Sequence, residues 1–228
     1  VAADDVEAAS ACADEILARL QAAQSPVLMV GVEVRRHGIE DRMTELARRL
    51  GVRVVTSFMG RGLLSGPNSP VLGTYLGCAG HADISRLVEN ADLLVLLGDI
   101  MSDTNFGVSG RRVDLRKAVH AFDRQVRVGY HSYPGVPLAA LVDAMLARVP
   151  APTHAAAPHA ATRYPRNLAI DGAPIHPVDI ARAVNDLMQA HGTMPIAADV
   201  GDCLFTAMDI DQPHLVAPGY YAGMGFGM

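Results

Sequence analysis

The segment "ADVGDCLFTA" (198–207) has a residue pattern that could do chemistry. An apolar strand runs into Gly201, and "CLFTA" can open a helix. Exposed N–H groups at such a turn suit an anion such as a diphosphate. Asp202 is an awkward neighbour for a phosphate unless it points away or a metal offsets its charge. The final stretch, "YYAGMGFGM" (220–228), alternates glycines with apolar and aromatic residues and carries no charge. Glycines in that pattern let a backbone come close to a ligand or to another strand, although a methionine there also serves as a gap-filler in a core.

Three other segments follow apolar strands. "GVEVRRHG" (31–38) reads as a solvated loop. "MGRGLLSG" (59–66) has closely spaced glycines but lacks G-x-G-x-x-G spacing, and a plain loop is expected. "GDIMSDTN" (98–105) places acids and an Asn where Mg²⁺ could sit, but Asp99 and Asp103 are expected to cap turns or helices instead. The nine histidines form no metal-ligand spacing; His120 and His131 are expected to satisfy hydrogen bonds near strand ends.

These segments need elements to position them. "PVLMVGV" (26–32), "VRVVT" (52–56) and "LLVLLG" (93–98) are apolar throughout, as strands buried on both faces must be. "AVHAF" (118–122) and "VRVG" (126–129) read as further strands. Between them lie helical patterns: residues 3–20, then "GIEDRMTELARRLG" with Gly51 placed to end it, "ISRLVENA" (84–91) and "PLAALVDAMLARV" (137–149). Alternation of this kind predicts an α/β fold with a doubly wound parallel sheet over residues 1–150. Residues 151–175 are rich in Ala, Pro and His without a period, and read as a linker. Residues 176–228 read as the opening of a second α/β domain. There an amphipathic helix has Pro177 in its first turn and Ile180, Val184, Leu187 and Met188 on one face, followed by a strand over 194–201.

Composition bounds the function. The 228 residues are 50% hydrophobic with a net charge of −5, which fits a globular protein and argues against nucleic acid as a partner. No apolar run approaches the roughly 20 residues of a membrane span. Three scattered cysteines without a CxxC read as reduced thiols, pointing to a cytoplasmic protein. The acidic start without an initiator Met and the abrupt end read as a piece of a longer protein.

In order along the chain, "GTYLGCAGHADISRLVENADLLVLLGDIMSDTNFGVS", "VRVGYHSYPGVPLAALVDAML" and "PIAADVGDCLFTAMDIDQPHLVAPGYYAGMGFGM" resemble thiamine diphosphate-dependent 2-oxo acid decarboxylases, in particular the indolepyruvate/phenylpyruvate decarboxylase group. The resemblance implies the central domain plus the start of the diphosphate-binding domain. It implies thiamine diphosphate and Mg²⁺ as cofactors, a 2-oxo acid as substrate, and self-association to a dimer or tetramer. By position it gives the Ala222 carbonyl and the Met224 N–H to the cofactor's aminopyrimidine ring. The Met224 side chain would wedge beneath the cofactor, and Gly223 and Gly225 would allow the close approach. The Val200–Cys203 turn would meet the diphosphate through backbone groups, since many relatives carry a hydroxyl residue where Asp202 stands. The family's "GDG…N" metal motif would lie beyond Met228, and its catalytic Glu and histidines in a preceding domain, so no catalytic residue is expected here. "GDIMSDTN" does not match the metal motif, having Ile100 at its second glycine. The rival readings are a carboligase of the acetolactate synthase type and a non-catalytic nucleotide-binding or interaction module.

Overall fold

The computed structural model describes residues 5–65, 69–102, 105–106, 112–151, 164–199, 201–212 and 215–216. The chain divides into two compact units, Val1–Ala161 and Thr162–Met228.

The first unit is built on a seven-stranded sheet. Its strands are β1 (Pro26–Val30), β2 (Arg53–Ser57), β3 (Val71–Tyr75), β4 (Leu93–Leu97), β5 (Val119–Phe122), β6 (Gln125–Val128) and β7 (His131–Pro134). Their order is β3-β2-β1-β4-β5-β6-β7. β1 to β5 are parallel, and β1 lies between β2 and β4 with Leu28 beside Val54 and Val95. The doubly wound parallel sheet expected from the sequence is thus present, and β6 and β7 extend it as an antiparallel edge. Asp123 and Arg124 join β5 to β6 with φ of 48° and 58°. Positive φ at both central residues is the twist a two-residue hairpin needs, and a connection of that length can only reverse the chain.

Alternation along the central strands explains why they are apolar throughout. Leu28, Val30, Leu93, Val95 and Leu97 enter one core, while Val27, Met29, Leu94 and Leu96 enter the other. The first core is closed by α1 (Val6–Ala22), α3 (Glu40–Leu50) and α5 (Leu138–Leu146) through Ile16, Met43, Leu46, Leu141 and Met145. The second is covered by α4 (Ala82–Glu89) through Ile84 and Val88, and by Phe106, which meets Tyr75 edge-on at 6.0 Å. α3 stops at Gly51, as expected from the sequence, and Gly51 takes the left-handed conformation.

α1 and α5 pack side by side, and Arg148 after α5 reaches back to Asp14 and Ser10, both at 2.6 Å. Glu15 on α1 accepts from the Tyr133 hydroxyl at 2.6 Å and lies 3.0 Å from His131, which ties α1 to β7. Burial pushes the Glu15 pKa up, but these bonds and Arg19 outweigh it and hold the carboxyl below its usual range.

The segment after β1 is not the expected solvated loop. It forms the short helix α2 (Glu33–Arg36), and Glu33 is buried, its carboxylate accepting from the Asp123 N–H at 3.2 Å. The described part of "MGRGLLSG" is a turn that buries Leu63 and Leu64, in keeping with a structural loop.

The second unit contains α6 (Pro177–His191), β8 (Ile196–Ala197), α7 (Asp202–Thr206) and β9 (Leu215–Val216), with β8 and β9 paired in parallel. Pro177 occupies the first turn of α6, and the Asp179 carboxylate accepts from the His176 N–H at 2.9 Å. The buried face of α6 differs from the expected one. Ala181, Asn185 and Met188 face inward, whereas Ile180 and Leu187 are 53% and 48% exposed. Asn185 is buried because it satisfies backbone groups. Its amide donates to the Pro165 and Asp209 carbonyls at 2.8 and 2.7 Å and accepts from the Asp211 N–H at 2.7 Å. Of the strand expected over 194–201, the described residues form Ile196–Ala197.

Candidate cofactor-binding turn

In open α/β sheets the ligand crevice lies outside the carboxyl ends of the strands, where the strand order reverses. In the first unit that point falls between β1 and β4. It is closed by backbone. The Gly31 N–H donates to the Leu97 carbonyl at 2.9 Å, and the Glu33 N–H to the Gly98 carbonyl at 3.0 Å. A Cβ on Gly31 would collide with the Gly98 carbonyl and the Asp99 backbone, so only glycine fits.

Behind this contact lies a buried polar cluster whose extent the sequence did not reveal. Asp99 and Asn105 are wholly inaccessible, as is Ser57 at the end of β2. Asn105 donates from Nδ2 to the Ile100 carbonyl at 2.7 Å and to Asp99 Oδ1 at 3.3 Å, and its Oδ1 accepts from the Met59 N–H at 3.0 Å. Among the described residues, Asp99 Oδ2 and Ser57 Oγ have no hydrogen bond of good geometry. Burial pushes the Asp99 carboxyl up to about 7, although the nearby Ser57 hydroxyl and the Ile100 N–H act in the opposite direction. Asp99 is therefore not the turn cap that its position suggested, and Asp103 lies outside the described residues. Among the described residues no group of three His, Cys, Asp or Glu side chains could hold a metal ion. His120 and His131 meet their expectation: His120 Nε2 lies 2.9 Å from the Asp99 carbonyl, and His131 Nδ1 lies 3.0 Å from Glu15.

In the second unit, Gly201 directly precedes α7, with φ of 102° and ψ of −149°. Side chains rarely adopt that conformation. The Gly201 carbonyl accepts from the Leu204 N–H at 3.0 Å, which bends the chain into the helix. No described atom lies within 4 Å of where a Gly201 Cβ would stand, so the surface there is open to close approach. Asp202 and Cys203 are exposed, and Cys203 Sγ lies 3.0 Å from the Asp199 carbonyl. This open glycine turn fits a diphosphate held by peptide groups. The exposed carboxylate of Asp202 is the feature that a bound cation would have to offset. Val200, Ala222, Gly223, Met224 and Gly225 lie outside the described residues, so of the eight candidate residues the structure brings together Gly201, Asp202 and Cys203.

No helix among the described residues is long and apolar enough to cross a membrane. Comparison with known proteins gives concordant matches. The chain is 61% identical over 229 aligned residues to indole-3-pyruvate decarboxylase from Azospirillum brasilense, an alignment covering 98% of this chain and 41% of that protein. It is 24% identical over 147 residues to pyruvate decarboxylase from Hanseniaspora uvarum, covering 64% of this chain and 26% of that one. The chain thus spans at most about two-fifths of the length of these relatives. The fold is similar to that of a thiamine diphosphate-dependent 4-hydroxybenzoylformate decarboxylase from Rhodococcus jostii RHA1. The TM-score is 0.59 at 17% identity, over 91% of this chain and 40% of that one. Residues 13–149 match the family model for the thiamine pyrophosphate enzyme central domain, and the chain belongs to that family.

Proposed function

We propose that this chain is part of a thiamine diphosphate- and Mg²⁺-dependent 2-oxo acid decarboxylase that converts an aryl pyruvate, indolepyruvate or phenylpyruvate, to an aldehyde and carbon dioxide. The observation that carries this reading is the 61% identity to indole-3-pyruvate decarboxylase over 98% of the chain. In this reading residues 1–150 are the central domain, 151–175 a linker, and 176–228 the start of the diphosphate-binding domain. When bound, thiamine diphosphate supplies an electron sink for the pair left behind as carbon dioxide departs. The chain's own part is to hold and shape. Gly201 keeps the turn bare so that the peptide groups of Val200–Cys203 can approach the diphosphate. The Ala222 carbonyl and the Met224 N–H would orient the aminopyrimidine ring, Gly223 and Gly225 would leave room for it, and the Met224 side chain would support the cofactor. The acid–base groups and the Mg²⁺ ligands belong to parts of the protein outside this chain. The enzyme works in the cytoplasm as a dimer or tetramer, and neither nucleic acid nor membrane is a partner.

The test uses the full-length protein with thiamine diphosphate and Mg²⁺. Phenylpyruvate should yield phenylacetaldehyde and carbon dioxide. Met224→Ala should lower kcat by about 10²-fold, the scale on which misplacement of reacting groups acts. Acetolactate formed from pyruvate, with no aldehyde from either aryl substrate, would overturn the proposal in favour of a carboligase. Residues 1–228 alone should bind the cofactor poorly in calorimetry; tight Mg²⁺-dependent binding by this piece would contradict the assigned division of the site.

A further inference from the structure

The helices α1 and α5 cover one face of β5 and β6, where Val119, Ala121, Val126 and Val128 are buried. Alternation along the strands puts His120, Phe122, Gln125 and Arg127 on the opposite face. There, with Met101 and Leu115, they line a cavity of about 340 Å³. That is at the small end of the roughly 300–1,000 Å³ typical of ligand clefts, so a single ring system fits and a nucleotide does not.

The lining is chemically lopsided. Among the described residues the lining contains no acidic side chain, Arg127 is exposed, and no hydrogen bond or ion pair engages its guanidinium. His120 is fixed by the bond from Nε2 to the Asp99 carbonyl at 2.9 Å. Its ring lies parallel to that of Phe122, at 5° with centroids 6.0 Å apart, which gives the cavity flat aromatic faces held in one orientation. Burial chiefly, and Arg127 in addition, lower the His120 pKa, while the bond to the Asp99 carbonyl and the charge of Glu33 act the other way. Gln125 Nε2 is occupied by Ser132 Oγ at 2.9 Å, so the guanidinium is the main free polar group. A lone planar guanidinium beside stacked rings selects a planar anion that can accept two parallel hydrogen bonds and offer a π face.

We infer that the cavity on the open face of β5 and β6 is a binding site for a small aromatic monocarboxylate, with Arg127 holding the carboxylate and the ring packed against the Phe122 and His120 side chains. The site lies in the first unit, apart from the glycine turn of the second, and does not depend on the activity proposed above.

Calorimetric titration of the 228-residue chain with benzoate tests it. Benzoate should bind, while benzamide, of the same shape without the charge, and acetate, with the charge but no ring, should each bind at least tenfold more weakly. Arg127→Gln should weaken benzoate at least tenfold. Gln125→Glu, which sets a carboxylate in the cavity, should do the same. Both positions are exposed, so the thermal midpoint should be retained, and benzoate should shift the His120 ring resonances in the parent chain only. Absence of benzoate binding by the parent chain overturns the inference. So does equal affinity of the parent and Arg127→Gln chains, or acetate or benzamide binding as well as benzoate.

Discussion

Asp99→Asn should make the protein more stable at neutral and alkaline pH, although polar substitutions at wholly buried positions ordinarily destabilise. Asp99 is fully buried, and its carboxyl is raised from 3.8 to about 7 chiefly by loss of water. A carboxyl whose folded pKa stands above its unfolded one binds protons on folding. From about pH 4 to pH 7 the unfolded chain has released that proton while the native chain keeps it, so stability falls as pH rises through this window and levels off above it. About three pH units at about 1.36 kcal/mol each set a ceiling of about 4 kcal/mol, with about 3 kcal/mol lost between pH 5 and 8. Asn keeps the oxygen that accepts from Asn105 Nδ2 and replaces the unsatisfied Oδ2 with an amide that can donate to Ser57 Oγ. The assay is urea unfolding of residues 1–228 and of the variant at half-unit steps from pH 5 to 8.5. The difference between the two chains isolates Asp99, because His120 and the Glu15 group titrate in both. The variant should lack most of the fall and be more stable than the parent chain at pH 8 by about 2–4 kcal/mol. A variant less stable than the parent chain at pH 8, or parallel pH profiles, would refute the reasoning.

Gly31→Ala should cost at least about 3 kcal/mol, because the new methyl meets backbone at Gly98 and Asp99 that cannot swing aside; a variant with a near-parental urea midpoint would contradict the closed crevice. Asn185→Ala strips hydrogen bonds from the Pro165 and Asp209 carbonyls and the Asp211 N–H. It should destabilise the second unit by about 2–3 kcal/mol, read as faster amide exchange along α6 with exchange in the first unit unchanged.

What the sequence made legible follows from how each element is buried. β4, "LLVLL", has both faces in a core, so its apolar run identified it. β7, "HSYP", lies at the sheet edge with three of its four residues exposed, and no apolar signal marks it. β3, "VLGTY", is also at an edge and alternates partial burial with a central glycine. The stripe on α6 was half legible: Val184 and Met188 pack inward as expected, but the polar Asn185 takes an inward position that hydrophobicity cannot flag, and only the backbone groups around it explain its burial. At the candidate site, Gly201 was readable because a glycine after a strand and before a helix has few conformational roles. The cluster of Ser57, Asp99 and Asn105 was not, since its members stand 42 and 6 positions apart in the sequence and meet only when β2 and β4 are laid across β1.

The embrace of α1 and α5, locked by Arg148 on Asp14 and Ser10, brings the first and last helices described in the first unit to the same side of its sheet. A module entered and left through one doorway can be spliced into a longer polypeptide without stretching whatever flanks it. The same economy makes it a natural subject for circular permutation: a short peptide joining the two ends, with new termini cut at the Asp123–Arg124 bend, should leave the central strands in place.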